Sequence, residues 1–268
     1  MKVKLGAINP PLYDPAMADE THPNARPPLL LFPGLLCDAR LWRDQLEELS
    51  ATIRCVVADC TRDDTLDGMV RRALSNMPNR FAVAGLSMGG YAALALMRLA
   101  PQRVTGLCLM DTSARPDTPE QARRRHGLMA LVARGSRFKG VTPRLLPLLL
   151  HPDRLGDQAM CEEVIAMADR VGQAAYLRQQ AAIVARPDSR PDLARIAVPT
   201  LVAVGAGDQL TPPDLAAEIA ARIPGANLEV VDGAGHLLPM ERPGETTSLL
   251  RKWLDATLLG NFAGRAES

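Results

Sequence analysis

The segment Gly85-Leu86-Ser87-Met88-Gly89 has the residue types that a serine nucleophile requires. It follows the apolar run 81–84 and precedes a helical pattern over 88–99, so the serine lies at a tight turn from a strand to a helix. Glycine on each side of the serine removes side chains that would clash where backbone segments approach closely. We therefore predict that this turn holds the Ser87 hydroxyl at the edge of a sheet. The alternative is a structural glycine turn that carries an ordinary serine.

A serine hydroxyl is a weak nucleophile until a base accepts its proton, and His236 is the candidate base. It follows a predicted strand near the C-terminus, in Gly233-Ala234-Gly235-His236. A loop at that position can bring the imidazole to Ser87 at the carboxyl edge of the sheet. The other three histidines lie in a proline-rich arm or in a strand-free segment, and we interpret them as surface residues: His22, His126 and His151.

A carboxylate must fix the tautomer of the base and stabilise its charged form. Asp208 is the preferred candidate, because it ends a predicted strand in Gly205-Ala206-Gly207-Asp208 and precedes His236 along the chain. Asp111 is the alternative acid, because it ends the strand that directly follows the strand of the serine. Asp111 has a second interpretation as a helix cap or loop acid, since a threonine and a serine follow it.

Acyl transfer also needs hydrogen-bond donors for the negative charge that develops on the carbonyl oxygen. The backbone N–H of Met88, the residue after the nucleophile, is the first candidate for this oxyanion hole. The second candidate is the backbone N–H of Leu35, in the turn Phe32-Pro33-Gly34-Leu35-Leu36 after the first apolar run. Because both donors belong to the backbone, the side chains at these positions have little direct role.

Six short apolar runs predict the strands that position these residues, and helical patterns lie between most of them. Such alternation indicates parallel βαβ units with right-handed crossovers. We therefore predict an α/β fold with a mostly parallel central sheet and helices on both faces. The runs are 29–32, 55–58, 81–84, 104–110, 201–204 and 228–231.

The alternation of strands and helices divides the chain into three regions. Residues 1–28 contain six prolines and predict an irregular N-terminal arm. The α/β core comprises residues 29–114 and 196–268. Between its two halves, residues 115–195 contain helical patterns and no convincing strand, so we predict a helical cap insertion over the carboxyl end of the sheet.

Composition narrows the expected partners of the chain. With 31 basic and 30 acidic residues the formal net charge is +1, which gives no electrostatic reason to expect nucleic acid. Aromatic residues are only 3% of the chain, so platforms for stacking bases are not expected. The sequence contains no uninterrupted apolar stretch of about 18 residues, so we predict no membrane span. The oligomeric state stays open.

The five cysteines include no CxxC pair and show no metal-ligand spacing with the histidines. We interpret them as reduced thiols of a cytoplasmic protein, and we expect neither a metal nor an organic cofactor. The N-terminal residues show no apolar core of a secretory signal.

Together these residues resemble the α/β-hydrolase superfamily, in its capped, esterase-like branch. The resemblance spans about residues 29–259 and includes the order serine, aspartate, histidine along the chain. It implies a catalytic triad of Ser87, His236 and Asp208 and a carboxylesterase-like activity of EC 3.1.1 type on a small ester with an apolar portion. Acyl transfer, lactone hydrolysis, carbon–carbon bond hydrolysis and ligand binding without catalysis remain alternatives on the same fold. Where many relatives carry His-Gly at the oxyanion turn, this chain has Pro33-Gly34.

Overall fold

The computed structural model describes residues 28–134 and 138–263, and the side chains of 258–263 are not considered. The predicted irregular arm lies outside the described residues, except for residue 28. Six parallel strands form a single sheet. The strands are β1 (Leu29–Phe32), β2 (Cys55–Val57), β3 (Phe81–Leu86), β4 (Val104–Met110), β5 (Thr200–Gly205) and β6 (Asn227–Val231).

The strands lie in the order β2-β1-β3-β4-β5-β6 across the sheet. All residues of β1, β3, β4 and β5 are buried, whereas β2 and β6 at the two edges are partly exposed. Helices therefore cover both faces of the inner strands, which explains their continuous apolar sequences. The predicted α/β fold and its mostly parallel sheet are confirmed.

Nine α-helices are found in the part of the chain that the structure describes. The small-residue helix after Ser87 has the predicted bounds, and most of its residues are buried. The helices are α1 (Arg43–Leu49), α2 (Leu66–Leu74), α3 (Met88–Leu99), α4 (Pro119–Ala133), α5 (Leu146–Leu149), α6 (Gln158–Val184), α7 (Pro213–Arg222), α8 (Leu238–Glu241) and α9 (Pro243–Ala263).

The strand order reverses beside β1, because the chain passes from β1 to β2 on one side and returns to β3 on the other. Such a reversal opens a crevice outside the carboxyl ends of the two strands, where ligands bind in open α/β sheets. The turn that contains Leu35 follows β1, and Ser87 follows β3. The topology therefore places both predicted features at this crevice.

We call residues 115–195 the insertion, and their treatment as a separate cap stays a prediction. Its described residues form α4, α5, α6 and short 3-10 turns, and none of them lies in a strand. Helix α6 is interrupted at Gly172, whose φ of 76° is outside the helical region. The insertion is thus helical on both sides of residues 135–137.

Buried charges connect the elements of the insertion to one another, and one of them contacts the core. The Asp117 carboxylate is 2% exposed and lies 2.7 Å from both the Arg125 Nε and the Arg186 Nη1 atoms. The Arg186 guanidinium also lies 4.2 Å from the ring centroid of Tyr91 on α3. Arg125 further donates to the Gln180 side chain on α6 at 2.8 Å. Removing one partner of such a buried pair is strongly destabilising, so these contacts stabilise the packing of α4 against α6 within the insertion.

Candidate active site

Ser87 lies in the sharp turn between β3 and α3, with φ of 55° and ψ of −114°. This positive φ is rare for a residue with a side chain and marks local strain. A Cβ atom on Gly85 would lie 2.2 Å from the Gly89 oxygen, and one on Gly89 would lie 2.1 Å from the Phe32 oxygen. Both positions therefore require glycine, as the spacing of the motif predicts.

The imidazole of His236 lies between Ser87 and Asp208. Its Nε2 atom is 2.9 Å from the Ser87 Oγ, and its Nδ1 atom is 2.9 Å from the Asp208 Oδ2. His236 is 5% exposed and Asp208 is 3% exposed, so water does not compete strongly for these bonds. The structure thus brings together the three residues that the sequence proposes for nucleophile, base and acid.

The Asp208 carboxylate accepts hydrogen bonds from its own loop as well as from His236. The N–H groups of Leu210 and Thr211 donate to Oδ1 at 2.8 and 3.0 Å, and the Thr211 hydroxyl donates to Oδ2 at 2.7 Å. Burial raises the pKa of Asp208, but His236 and the donors of Thr211 outweigh burial and lower it below its usual value. The acid therefore stays ionised beside the imidazole.

Asp111, the alternative acid, has a different position. Its Oδ1 accepts from the Gly205 N–H at 2.9 Å, and its Oδ2 accepts from the Leu238 N–H at 3.3 Å. Among the hydrogen bonds of the described residues, the Nδ1 atom of His236 contacts Asp208 and Thr211 rather than Asp111. Asp111 therefore connects the end of β5, which precedes the acid Asp208, to the loop that carries the base His236. Of the two interpretations of Asp111, these backbone contacts favour a loop acid over the acid of the triad.

The turn after β1 packs against the serine turn. The Cys37 N–H donates to the Gly34 oxygen at 3.1 Å, and Leu36 has a positive φ of 60°. A Cβ on Gly34 would lie 3.1 Å from a methyl carbon of Leu86, one residue before Ser87. Leu35 is inside this turn, and Met88 begins α3. The positions are compatible with an oxyanion hole, and the donor role of both N–H groups stays a prediction.

Gln179 holds this turn from the insertion. Its side chain is wholly buried, accepts from the Leu36 N–H at 3.0 Å and donates to the Cys60 oxygen at 3.2 Å. Sequence analysis missed Gln179, because nothing near it in sequence indicates a contact 143 residues away. Thr211 was missed too, although a hydroxyl residue three positions after the acid is a signal that could have identified it.

Two further features of the described residues concern metal binding and membrane spanning. No group of three or more His, Cys, Asp or Glu side chains within 28–134 and 138–263 is placed to hold a metal ion. In the same part of the chain, no helix has the length and apolar character needed to cross a membrane. The expectation that the protein uses no cofactor stays a prediction.

The chain belongs to the Alpha/beta hydrolase family, whose sequence profile matches residues 29–248. This match confirms the resemblance that the serine, aspartate and histidine motifs indicate. It also agrees with the six-stranded parallel sheet and with the turn that carries Ser87. The family covers many substrates, so membership defines the fold and the class of chemistry and leaves the substrate open.

Three proteins illustrate what the chain resembles in sequence or fold. A thermophilic esterase from Thermogutta terrifontis is 30% identical, and the match covers 86% of this chain and 90% of that one with a TM-score of 0.78. A pimeloyl-(acyl-carrier protein) methyl ester esterase from Edwardsiella ictaluri is 27% identical over 85% of this chain and 93% of that protein. The enol-lactonase from Burkholderia xenovorans shares the fold at 23% identity, over 85% of this chain and 92% of that one, with a TM-score of 0.71.

Stability should depend on pH through Asp111. Burial, followed by the charge of Asp208, raises the pKa of Asp111 well above 3.8, so the folded protein keeps this proton at pH values where the unfolded chain has lost it. The free energy of unfolding then falls as pH rises above about 4, by at most about 1.4 kcal/mol per pH unit for this group. Asp111→Asn has no such proton, so its free energy of unfolding should fall less steeply.

Urea denaturation of the wild type and of Asp111→Asn between about pH 4.5 and pH 8 measures this difference. All other titrating groups are common to both proteins, so the difference between the two curves isolates Asp111. Parallel curves over the whole range would show that Asp111 ionises normally in the folded protein.

Proposed function

We propose that the protein hydrolyses carboxylic esters through an acyl-enzyme intermediate on Ser87. The observation that carries this proposal is the continuous series of hydrogen bonds from Ser87 through His236 to Asp208, each 2.9 Å long. A base at this distance is within reach of the proton that it must accept. Membership of the Alpha/beta hydrolase family supports the same assignment.

The reaction proceeds in two halves. The Ser87 oxygen attacks the ester carbonyl while His236 Nε2 accepts the hydroxyl proton, and the imidazolium then donates that proton to the departing alcohol. A water molecule, deprotonated by His236, next attacks the acyl-enzyme, and the proton returns to the Ser87 oxygen as the carboxylic acid leaves. Asp208 remains ionised throughout and stabilises the imidazolium.

The backbone N–H groups of Leu35 and Met88 are the proposed donors to the oxyanion. The contact of the Leu35 turn with the residue before Ser87 supports this assignment. The bond from the Leu36 N–H to Gln179 also supports it, since it fixes the orientation of the turn. A donor of this kind typically contributes about 3 kcal/mol of transition-state stabilisation.

The proposed substrate is a small ester with an apolar portion. The insertion contributes aliphatic and aromatic side chains to the same buried cluster as Leu36 and Leu237, which flank the oxyanion turn and the base. The apolar character of the insertion next to these two loops supports an apolar acyl or alcohol group in the substrate. The buried members from the insertion are Val141, Leu146, Leu150, Val164, Met167, Ala168 and Tyr176.

We further propose a cytoplasmic location for the protein. The support for it is that all five cysteines are free thiols, as a reducing compartment keeps them.

Ser87→Ala should abolish ester turnover, because no other group in the series can form the acyl-enzyme. We expect kcat for p-nitrophenyl esters to fall by at least about 10⁴-fold, while the free energy of unfolding changes little. The matched control is Ser248→Ala, which removes an exposed hydroxyl on α9 and should keep full activity. A panel of esters of increasing acyl length measures the size of the apolar site in the same assay. Full turnover by Ser87→Ala would refute the mechanism.

The two candidate acids can be separated by their amide variants. Asp208→Asn should lower kcat by about 10⁴-fold, because the amide favours the wrong tautomer of His236. Asp111→Asn should keep kcat within about tenfold, because Asp111 does not contact the imidazole and has only one bond to the loop of the base, at 3.3 Å and two residues after His236. Steady-state kinetics on one ester compares the two variants directly. The opposite ranking would assign the acid to Asp111.

A further inference from the structure

The loop that carries the base is held by hydrogen bonds from consecutive backbone N–H groups. We call residues 235–238 the base loop. Each of its four consecutive backbone N–H groups has an acceptor, and three of the four hydrogen bonds end on an oxygen of a buried carboxyl group. The bonds are Gly235 N to Glu241 Oε1 at 2.9 Å, His236 N to Leu149 O at 3.0 Å, Leu237 N to Glu241 Oε1 at 3.1 Å and Leu238 N to Asp111 Oδ2 at 3.3 Å.

Glu241 supplies two of these bonds with a single oxygen. It is the last residue of α8, and its side chain is wholly buried. Its Oε1 atom accepts from the residues immediately before and after His236, so it fixes the peptide groups on both sides of the base. Its Oε2 atom accepts from the His151 N–H of the insertion at 2.6 Å. One carboxyl group thus joins the base loop to the insertion.

The insertion also packs tightly against the base loop. A Cβ atom on Gly235 would lie 2.6 Å from the His151 nitrogen. The Arg154 guanidinium donates to the backbone oxygen of Glu241 at 2.5 Å, and the Leu149 oxygen accepts from the His236 N–H. Residues 149–154 therefore lie directly against the base loop, and no bulkier residue at 235 could be accommodated without moving them.

We propose that Glu241 is a positioning residue that holds the His236 imidazole in line with Ser87 and Asp208 and couples this alignment to the position of the insertion. The inference rests on the proposed function, because that function makes His236 the base. An imidazole that must contact two partners at once tolerates little displacement. A displacement of about 1 Å in such a site costs about 100-fold in rate.

A carboxylate suits this position for a chemical reason. Three N–H donors converge on the side chain of Glu241, and an ionised carboxylate has only acceptor atoms. An amide of the same shape would direct its own N–H₂ group at one of those donors. Burial raises the pKa of Glu241, while the three N–H bonds oppose that shift. The bonds therefore offset part of the cost of a buried carboxylate.

The alternative is that Glu241 only stabilises the fold. In that case its replacement would lower the free energy of unfolding and leave the chemistry of the folded protein unchanged. The test must therefore measure the base itself and separate kcat from KM.

The test compares Glu241→Gln with Glu245→Gln, a change of the same chemical type at a side chain that is 62% exposed in the first turn of α9. We expect Glu241→Gln to lower kcat by about 30- to 100-fold while KM changes less than about threefold. Glu245→Gln should behave as the wild type. Glu241→Asp is the second variant, because it keeps the charge but withdraws the carboxylate from at least one set of donors, and it should lower kcat in the same direction.

A second readout does not need turnover. The Nδ1 proton of His236, bound between the imidazole and Asp208, should give a downfield proton resonance in the wild type that weakens or shifts in Glu241→Gln. Exchange of the Gly235, Leu237 and His151 amide protons should also become at least tenfold faster. If both readouts and kcat stay as in the wild type, the positioning role is refuted. If the wild type hydrolyses no ester, the proposed function fails, and the proton resonance and the exchange rates still decide the role of Glu241.

Discussion

A single imidazole must lie within hydrogen-bond distance of two groups that belong to different loops, and the rest of the structure serves this constraint. Ser87 follows β3, Asp208 follows β5 and His236 follows the edge strand β6. Because all strands are parallel, the three loops meet at one edge of the sheet. The base loop must nevertheless extend past β5 and β4 to reach the serine. Asp111 directly follows β4, one of the two strands in between, and connects this loop to Gly205 at the end of β5.

Three buried carboxyl groups surround the base, and their different partners give them different roles. Asp208 contacts the imidazole and a threonine hydroxyl, and its pKa is lowered. Asp111 accepts from two backbone N–H groups, which do not offset its burial, and its pKa is raised. Glu241 accepts from three backbone N–H groups, including one of the insertion. The insertion also contacts the proposed oxyanion turn, through Gln179. It therefore supports both the loop of the base and the turn that holds the proposed Leu35 donor.

Sequence patterns predicted the parts of this arrangement that depend on local chemistry. Apolar runs predicted all six strands, and the pattern is clearest in the inner strands, because strands buried on both faces show little polar alternation. The glycines around Ser87 identified its turn, because only glycine fits where the turn meets the backbone of β1. Contacts between distant segments gave no comparable signal. Gln179 lies on a long helix, and Glu241 lies five residues after His236. In the sequence, both look like ordinary surface residues.

The most direct test of the account is to locate the covalent intermediate. Protein treated with diethyl p-nitrophenyl phosphate, which forms a stable phosphoryl-enzyme with an activated serine, is digested and its peptides are analysed by tandem mass spectrometry. We predict one diethylphosphoryl group on the Ser87 oxygen and its loss in His236→Ala, because the serine is activated only through the imidazole. Modification of another residue, or ester hydrolysis that continues at full rate after Ser87 is modified, would contradict it.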